Sequence, residues 1–239
     1  MRLFLLLSIL VSVNCLSLKA QNDAPKKFHG EFWVGIQFAV PVGEFAASID
    51  RDLGFGGNIG GVWCPSKESN FFQFGFETGV NYMGKEKRQI EGVDLKTIST
   101  LWTFHLLARF TAPTKIKLVP YIDVLGGGKM FYTKTKYNND LVDAIFKDED
   151  LSVFAKNNSS VWSYGVGVGF NFTTGDILGS TDYPNVVFDC RVVYMVSGNM
   201  SYVSPDNVRK DPDGSYYYEV TEINKTDMIF PQIGIKAIF

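Results

Sequence analysis

The chain has 239 residues, of which 46% are hydrophobic, 15% aromatic and only 20% charged, with a formal net charge of −2. That near-neutral balance excludes the basic footprint of a nucleic-acid-binding protein, and no nucleic-acid partner is expected. Low charge, 23 glycines and abundant aromatic residues suit short, tightly packed strands better than an amphipathic helical bundle.

Residues 1–20 carry Arg2, an apolar run from Leu3 to Val13 and a small residue, Ala20, ahead of Gln21. They read as a secretory signal peptide, followed by a short periplasmic segment over 21–29 and one domain over 30–239. Cys15 follows Asn14, where a lipoprotein peptidase expects Gly, Ala or Ser, so lipidation is not expected. Beyond the signal, no apolar stretch approaches the roughly 20 residues of a membrane-spanning helix, so any span must be built from strands. Cys64 and Cys190 fall on predicted strands two and seven, which are not neighbours in an eight-stranded barrel, and free thiols are expected.

Eight two-faced strands follow in chain order. The first, about 30–42, sets Phe32, Val34, Ile36, Phe38 and Val40 against Trp33, Gly35, Gln37 and Ala39. The second, about 54–64, is glycine-rich, with Phe55, Ile59 and Trp63 on its apolar face. In the third, Phe72, Phe74, Phe76, Val80 and Tyr82 oppose Gln73, Gly75, Glu77, Gly79 and Asn81. The fourth sets Trp102, Phe104, Leu106, Ala108 and Phe110 against Thr103, His105 and Arg109. The fifth, about 118–136, opposes Ile122, Val124, Met130 and Tyr132 to Asp123, Gly127 and Lys129. The sixth alternates Trp162, Tyr164, Val166, Val168, Phe170 and Phe172 with Ser163, three glycines and Asn171. The seventh, about 186–198, opposes Phe188, Cys190, Val192 and Tyr194 to Asp189 and Arg191. The last carries Ile229, Pro231, Ile233, Ile235, Ala237 and Phe239 opposite Gln232, Gly234 and Lys236. Side chains alternate across a strand, so each segment has one apolar and one polar or small face.

The connections alternate in length as an outer-membrane barrel requires, with long loops outside and short turns in the periplasm. Residues 43–53, 84–96, 137–160 and 199–224 form the outside set; 65–70, 112–117 and the longer 174–185 form the inside set. The fold expected is all-β: an eight-stranded antiparallel transmembrane up-and-down barrel in the bacterial outer membrane, with both termini in the periplasm. A soluble lipocalin-like barrel shares the alternation but buries its apolar face. The polar face here is rich in Gly, Asn, Ser and Gln with few charges, which suits a filled lumen better than a water-facing surface. Trp63, Trp102 and Trp162 are placed near strand ends, where a membrane girdle would sit.

The inward charges are Glu77, Arg109, Asp123, Lys129, Asp189, Arg191 and Lys236. Arg109 and Asp123 face each other across one hairpin, and Lys236 lies on the strand beside Asp189 and Arg191, so ion pairs are expected. Two readings stand: a salt-bridged plug filling the lumen, or a conduction path. The eight-strand interior, just wide enough for side chains, favours the plug. His29 and His105 show no serine or carboxylate company suited to lipid modification, and His105 reads as a hydrogen-bonded lumen residue. No metal-ligand spacing occurs, and neither cofactor nor enzyme activity is expected. The strand glycines read as relief where barrel walls curve. Outside, Asp140, Asp143, Asp148, Glu149 and Asp150 form an acidic loop, and Pro212-Asp-Gly214 leads into Ser215-Tyr-Tyr-Tyr-Glu-Val220 as a projecting hairpin.

Four segments resemble the small outer-membrane barrels of Bacteroidetes-type bacteria, akin to OmpA and OmpX: Pro41-Val-Gly-Glu-Phe45, Pro120-Tyr-Ile-Asp-Val-Leu-Gly-Gly-Gly128, Gly165-Val-Gly-Val-Gly169 and Ile233-Gly-Ile-Lys-Ala-Ile-Phe239. The resemblance implies outer-membrane lipid as surroundings and insertion by the barrel assembly machinery. Ile233, Ile235, Ala237 and Phe239 would then carry the assembly signal, and no enzyme is implied. The role expected is structural or surface-interacting, with a protein partner at the extracellular loops. An accessory barrel of a secretion or gliding apparatus and a narrow channel for small or apolar solutes are the alternatives.

Overall fold

The computed structural model describes residues 29–48, 53–66, 70–90, 93–113, 118–137, 153–173, 186–202, 208–210, 216–218 and 221–238. The predicted signal peptide, the acidic run at 140–150 and Phe239 lie outside the described residues. Strands β1 (His29–Pro41), β2 (Gly54–Cys64), β3 (Phe72–Ile90), β4 (Val93–Thr111), β5 (Leu118–Tyr137), β6 (Val153–Thr173), β7 (Val186–Ser197) and β12 (Met228–Ile238) form the wall. They close as an antiparallel barrel in the order β1-β12-β7-β6-β5-β4-β3-β2. Between β7 and β12 lie four short strands, β8 (Met200–Tyr202), β9 (Val208–Lys210), β10 (Tyr216–Tyr218) and β11 (Thr221–Ile223). β9 pairs with β10, so the expected tyrosine-bearing hairpin forms, and β11 pairs with β8. A single short helix, α1 (Glu44–Ser48), follows β1 among the described residues.

The two-residue alternation sorts side chains as the sequence predicts, with the apolar set outside. Phe32, Val34, Ile36, Phe74, Phe104, Leu106, Tyr164, Val166, Val168, Ile233 and Ile235 are all exposed, whereas Arg109 and Asp123 are 0% exposed. This is the inverse of a water-soluble barrel. An uninterrupted apolar belt of this size is not left facing water by soluble monomers.

The wall is uneven in height. β3, β4, β5 and β6 run for 19, 19, 20 and 21 residues, whereas β1, β2, β7 and β12 run for 13, 11, 12 and 11. A tilted strand needs only about 9–11 residues to cross a membrane, so four neighbouring strands project well beyond one. Residues 84–96, read from sequence as a loop, belong to this projection. Gly84–Ile90 and Val93–Ser99 stay paired past a register shift between Tyr82 and Gly84. Likewise β6 begins at Val153, inside the stretch expected to be the loop 137–160. Residues 85–89 and 156–160 are polar at every position, which removes the apolar alternation that marks a strand in sequence. Because β4 and β6 are longer than expected, Trp102 and Trp162 lie near mid-strand, and only Trp63 of the three sits at a strand end.

Candidate functional site

Six of the seven inward charges converge in the half of the lumen nearest the chain termini. Arg109 on β4 and Asp123 on β5 are direct cross-strand partners. Their side chains meet in a fork, with Arg109 Nε 2.8 Å from Asp123 Oδ1 and Nη2 2.9 Å from Oδ2. Such bidentate pairing is the strongest geometry available to a guanidinium and a carboxylate. Arg191 on β7 reaches across the lumen to the same carboxylate, Nη1 to Oδ2 at 2.6 Å, and also binds Glu77 on β3. Its Nε donates to Gln232 Oε1 at 2.8 Å. Glu77 also accepts from Trp33 Nε1 and Asn58 Nδ2, each at 3.2 Å. Lys236 lies 3.0 Å from Glu31 and 3.5 Å from Asp189, and Tyr121 donates its hydroxyl to Asp189 at 2.6 Å.

Aromatic rings complete the cluster. The Arg109 guanidinium lies over the Tyr121 ring at 3.9 Å and near that of Trp33 at 4.9 Å. Both rings face glycine across the register, Trp33 opposite Gly60 and Tyr121 opposite Gly169. A Cβ on Gly60 would sit 2.3 Å from Trp33 Cζ2, and one on Gly169 would sit 2.5 Å from the Tyr121 ring. These lumenal glycines therefore make room for the two rings that bracket the charge network, a more specific role than easing wall curvature.

Lys129 stands apart from this cluster. It lies farther from the termini and donates to the backbone carbonyl of Thr226. His105 lies at mid-depth, with Nε2 2.7 Å from Ser163 Oγ and both side chains buried. The expectation that His105 has no serine company is therefore corrected, since β4 and β6 bring the two together across β5. His105 is also the register partner of Glu77, but the Glu77 carboxylate is engaged by Arg191, Trp33 and Asn58.

The half of the lumen away from the termini combines an apolar layer with buried polar side chains, among them Asn81, Lys129, Thr133 and Thr226. Ala39, Met83, Leu101, Phe131, Met195, Met200, Ile223 and Met228 form a buried layer there. Phe45 of α1 is 0% exposed and stands edge-on to Phe131, ring centroids 6.3 Å apart. The chain can fold inward here because Gly43 takes a positive φ of 60°, a conformation that glycine adopts without a Cβ penalty. Asp227 holds this end together: its carbonyl accepts from Val42 N at 3.0 Å, and its carboxylate accepts from Ser197 N at 3.1 Å.

Sequence reasoning missed Glu31, Trp33, Tyr121 and Gln232 as members of the network. The signal was present for Glu31 and Trp33, which share the inward parity of Gln37 on β1. Including Glu31, the network sets four carboxylates against three cations, Arg109, Arg191 and Lys236, while the fourth inward cation, Lys129, lies outside it. Of the residues read as an assembly signal, Ile233, Ile235 and Ala237 point outward on β12, and Phe239 lies outside the described residues. Cys64 and Cys190 are not joined in a disulfide and lie on strands that are not neighbours.

No protein-family model and no curated protein matches the chain. Among solved structures, it is similar to a major outer membrane protein from Thermus thermophilus, with a TM-score of 0.51 and 12% identity over 88% of this chain and 99% of that one. It also aligns with the attachment invasion locus protein Ail of Yersinia pestis, at TM-score 0.47 and 10% identity over 90% of this chain and 100% of that one. Neisserial surface protein A aligns at TM-score 0.44 and 13% identity over 91% and 100%. At this level of identity the likeness to the Thermus protein is one of fold.

Proposed function

We propose that this chain is a non-enzymatic integral protein of the bacterial outer membrane that acts through the end of the barrel remote from its termini. The observation that carries the reading is the inversion of the barrel: a continuous apolar belt outside and the charges buried within. Only a lipid surrounding makes that arrangement favourable, because exposed apolar area is costly in water and buried unpaired charge is costly anywhere. Both termini belong to the short-turn end, which the reading places in the periplasm. Its terminal strand, with Ile233, Ile235 and Ala237 on the lipid face, is the element offered to the barrel assembly machinery. The kinship with OmpA-like and OmpX-like barrels of Bacteroidetes-type bacteria belongs to this same proposal.

The filled lumen supports a structural role for its interior. The ion-pair network occupies one half and Phe45 with its apolar neighbours occupies the other, so the contacts with the outside fall to the projecting strands and β8 to β11. The test is to express the full chain in a Gram-negative host and run the outer-membrane fraction on gels with and without boiling. A heat-modifiable band there supports the reading, and a soluble periplasmic protein overturns it. Val166, 53% exposed on β6, supplies a second check. Val166→Arg should cost about 2–4 kcal/mol of bilayer stability at midplane depth, and unimpaired folding would reverse the assignment of faces.

A further inference from the structure

The projecting wall carries like charges in register. On its outward face Lys87 pairs with Lys96, and Lys96 with Lys136. In the adjacent row Lys85 pairs with Ile98, Ile98 with Lys134 and Lys134 with Lys156. Lumen-facing neighbours Thr97, Ser99, Thr133 and Thr135 are buried, which fixes the lysines on the outside. Directly opposed residues have Cβ atoms roughly 5 Å apart, and like charges so placed destabilise a sheet. A water-facing surface relieves this by interspersing both signs. Among the described residues, no carboxylate shares a register position with Lys85, Lys87, Lys96, Lys134 or Lys136, and Glu86 on β3 pairs with the lumen-facing Thr97. The nearest acid along β4, Asp94, holds the register position opposite Gln89, two residues beyond Lys96. The close approach of Lys96, followed by partial desolvation and the charge of Lys87, pulls the Lys85 ammonium below its usual value.

We propose that the outward lysines Lys85, Lys87, Lys96, Lys134 and Lys136 form a binding site for phosphorylated lipid headgroups of the surrounding leaflet. Position argues for a lipid source. The patch rises directly from the exposed belt on the same strands: Lys134 lies two residues past Tyr132, and Lys96 lies six residues before Trp102. At about 3.3 Å per residue on a tilted strand, these lysine positions stand roughly 5–15 Å above those rings, and their flexible stems let the ammonium groups reach back to the headgroup layer. Each lysine near an anionic lipid surface contributes about fivefold in affinity, so three together give roughly 100-fold.

The proposal rests on the membrane-spanning reading, and the test separates the two. The purified full chain and a Lys87→Gln, Lys96→Gln, Lys136→Gln variant are first checked for heat-modifiable folding, which reads the barrel alone. Both are then titrated with diphosphoryl lipid A, with its dephosphorylated form and with inositol hexakisphosphate. The expected result is roughly 100-fold weaker lipid A binding by the folded glutamine variant, recovery in the corresponding triple Lys→Arg variant, and weak binding of the dephosphorylated lipid. Equal lipid A affinity of the wild type and the folded glutamine variant overturns the site. Inositol hexakisphosphate binding as tightly as lipid A overturns the lipid source.

Discussion

The two halves of the lumen solve the same packing problem by opposite means. Near the termini, Arg109, Arg191, Lys236 and their carboxylates fill the space with ions that satisfy one another; at the far end, Phe45, Phe131 and four buried methionines fill it with apolar volume. The difference lies in tolerance. An ion network is cooperative, and removing one member strands the others in a low-dielectric interior. An apolar layer loses only the volume that is removed, and part of it hangs on a short helix that is not a member of the wall.

The sharpest way to break this comparison is Arg191→Met. It leaves Asp123 and Glu77 without their shared cation and should cost about 3–5 kcal/mol, read as the urea midpoint of unfolding from bilayers. A loss below about 1 kcal/mol would mean that the network is not a unit. Next, Gly60→Val presses on the Trp33 ring and should destabilise by about 1–3 kcal/mol in the same assay. The effect should shrink but persist when Trp33 is already Leu, because the added Cβ would still sit 2.8 Å from the Phe76 carbonyl oxygen. Lys129→Met replaces a cation that makes one hydrogen bond to a carbonyl at the edge of the apolar half. It should cost only about 1 kcal/mol, much less than Arg191→Met although both delete one buried cation. Smallest of all in global terms, Phe45→Ala should leave the unfolding midpoint nearly unchanged. Hydrogen exchange at Val42, whose amide is held by Asp227, should nonetheless accelerate as α1 detaches. If Phe45→Ala unfolds the whole barrel, the apolar half is as cooperative as the charged one.

Parts of the site were legible because they are local in the sheet. Arg109 and Asp123 flank one hairpin, so counting outward from the turn brings them opposite each other. The pairing of Arg191 with Glu77 was not legible. β7 and β3 touch only across the lumen, and nothing in either strand's pattern measures that span. The helical turn at Glu44–Ser48 escaped for a related reason. Five residues are too few for a helical period to show, and the inward aim of Phe45 depends on the cavity waiting beneath it. The His105 and Ser163 contact belongs to the same class, since the two lie on strands separated by β5.

What the amino-acid order determined by itself is the number of wall strands, the parity of nearly every wall residue and the sidedness of the sheet. An alternation of period two survives any reasonable register and needs no partner to be read. Strand height, the convergence of charges from six strands on one cluster and the row of outward lysines were decided only by closure. Register across a curved wall sets which residues meet, and that is a property of all eight strands together.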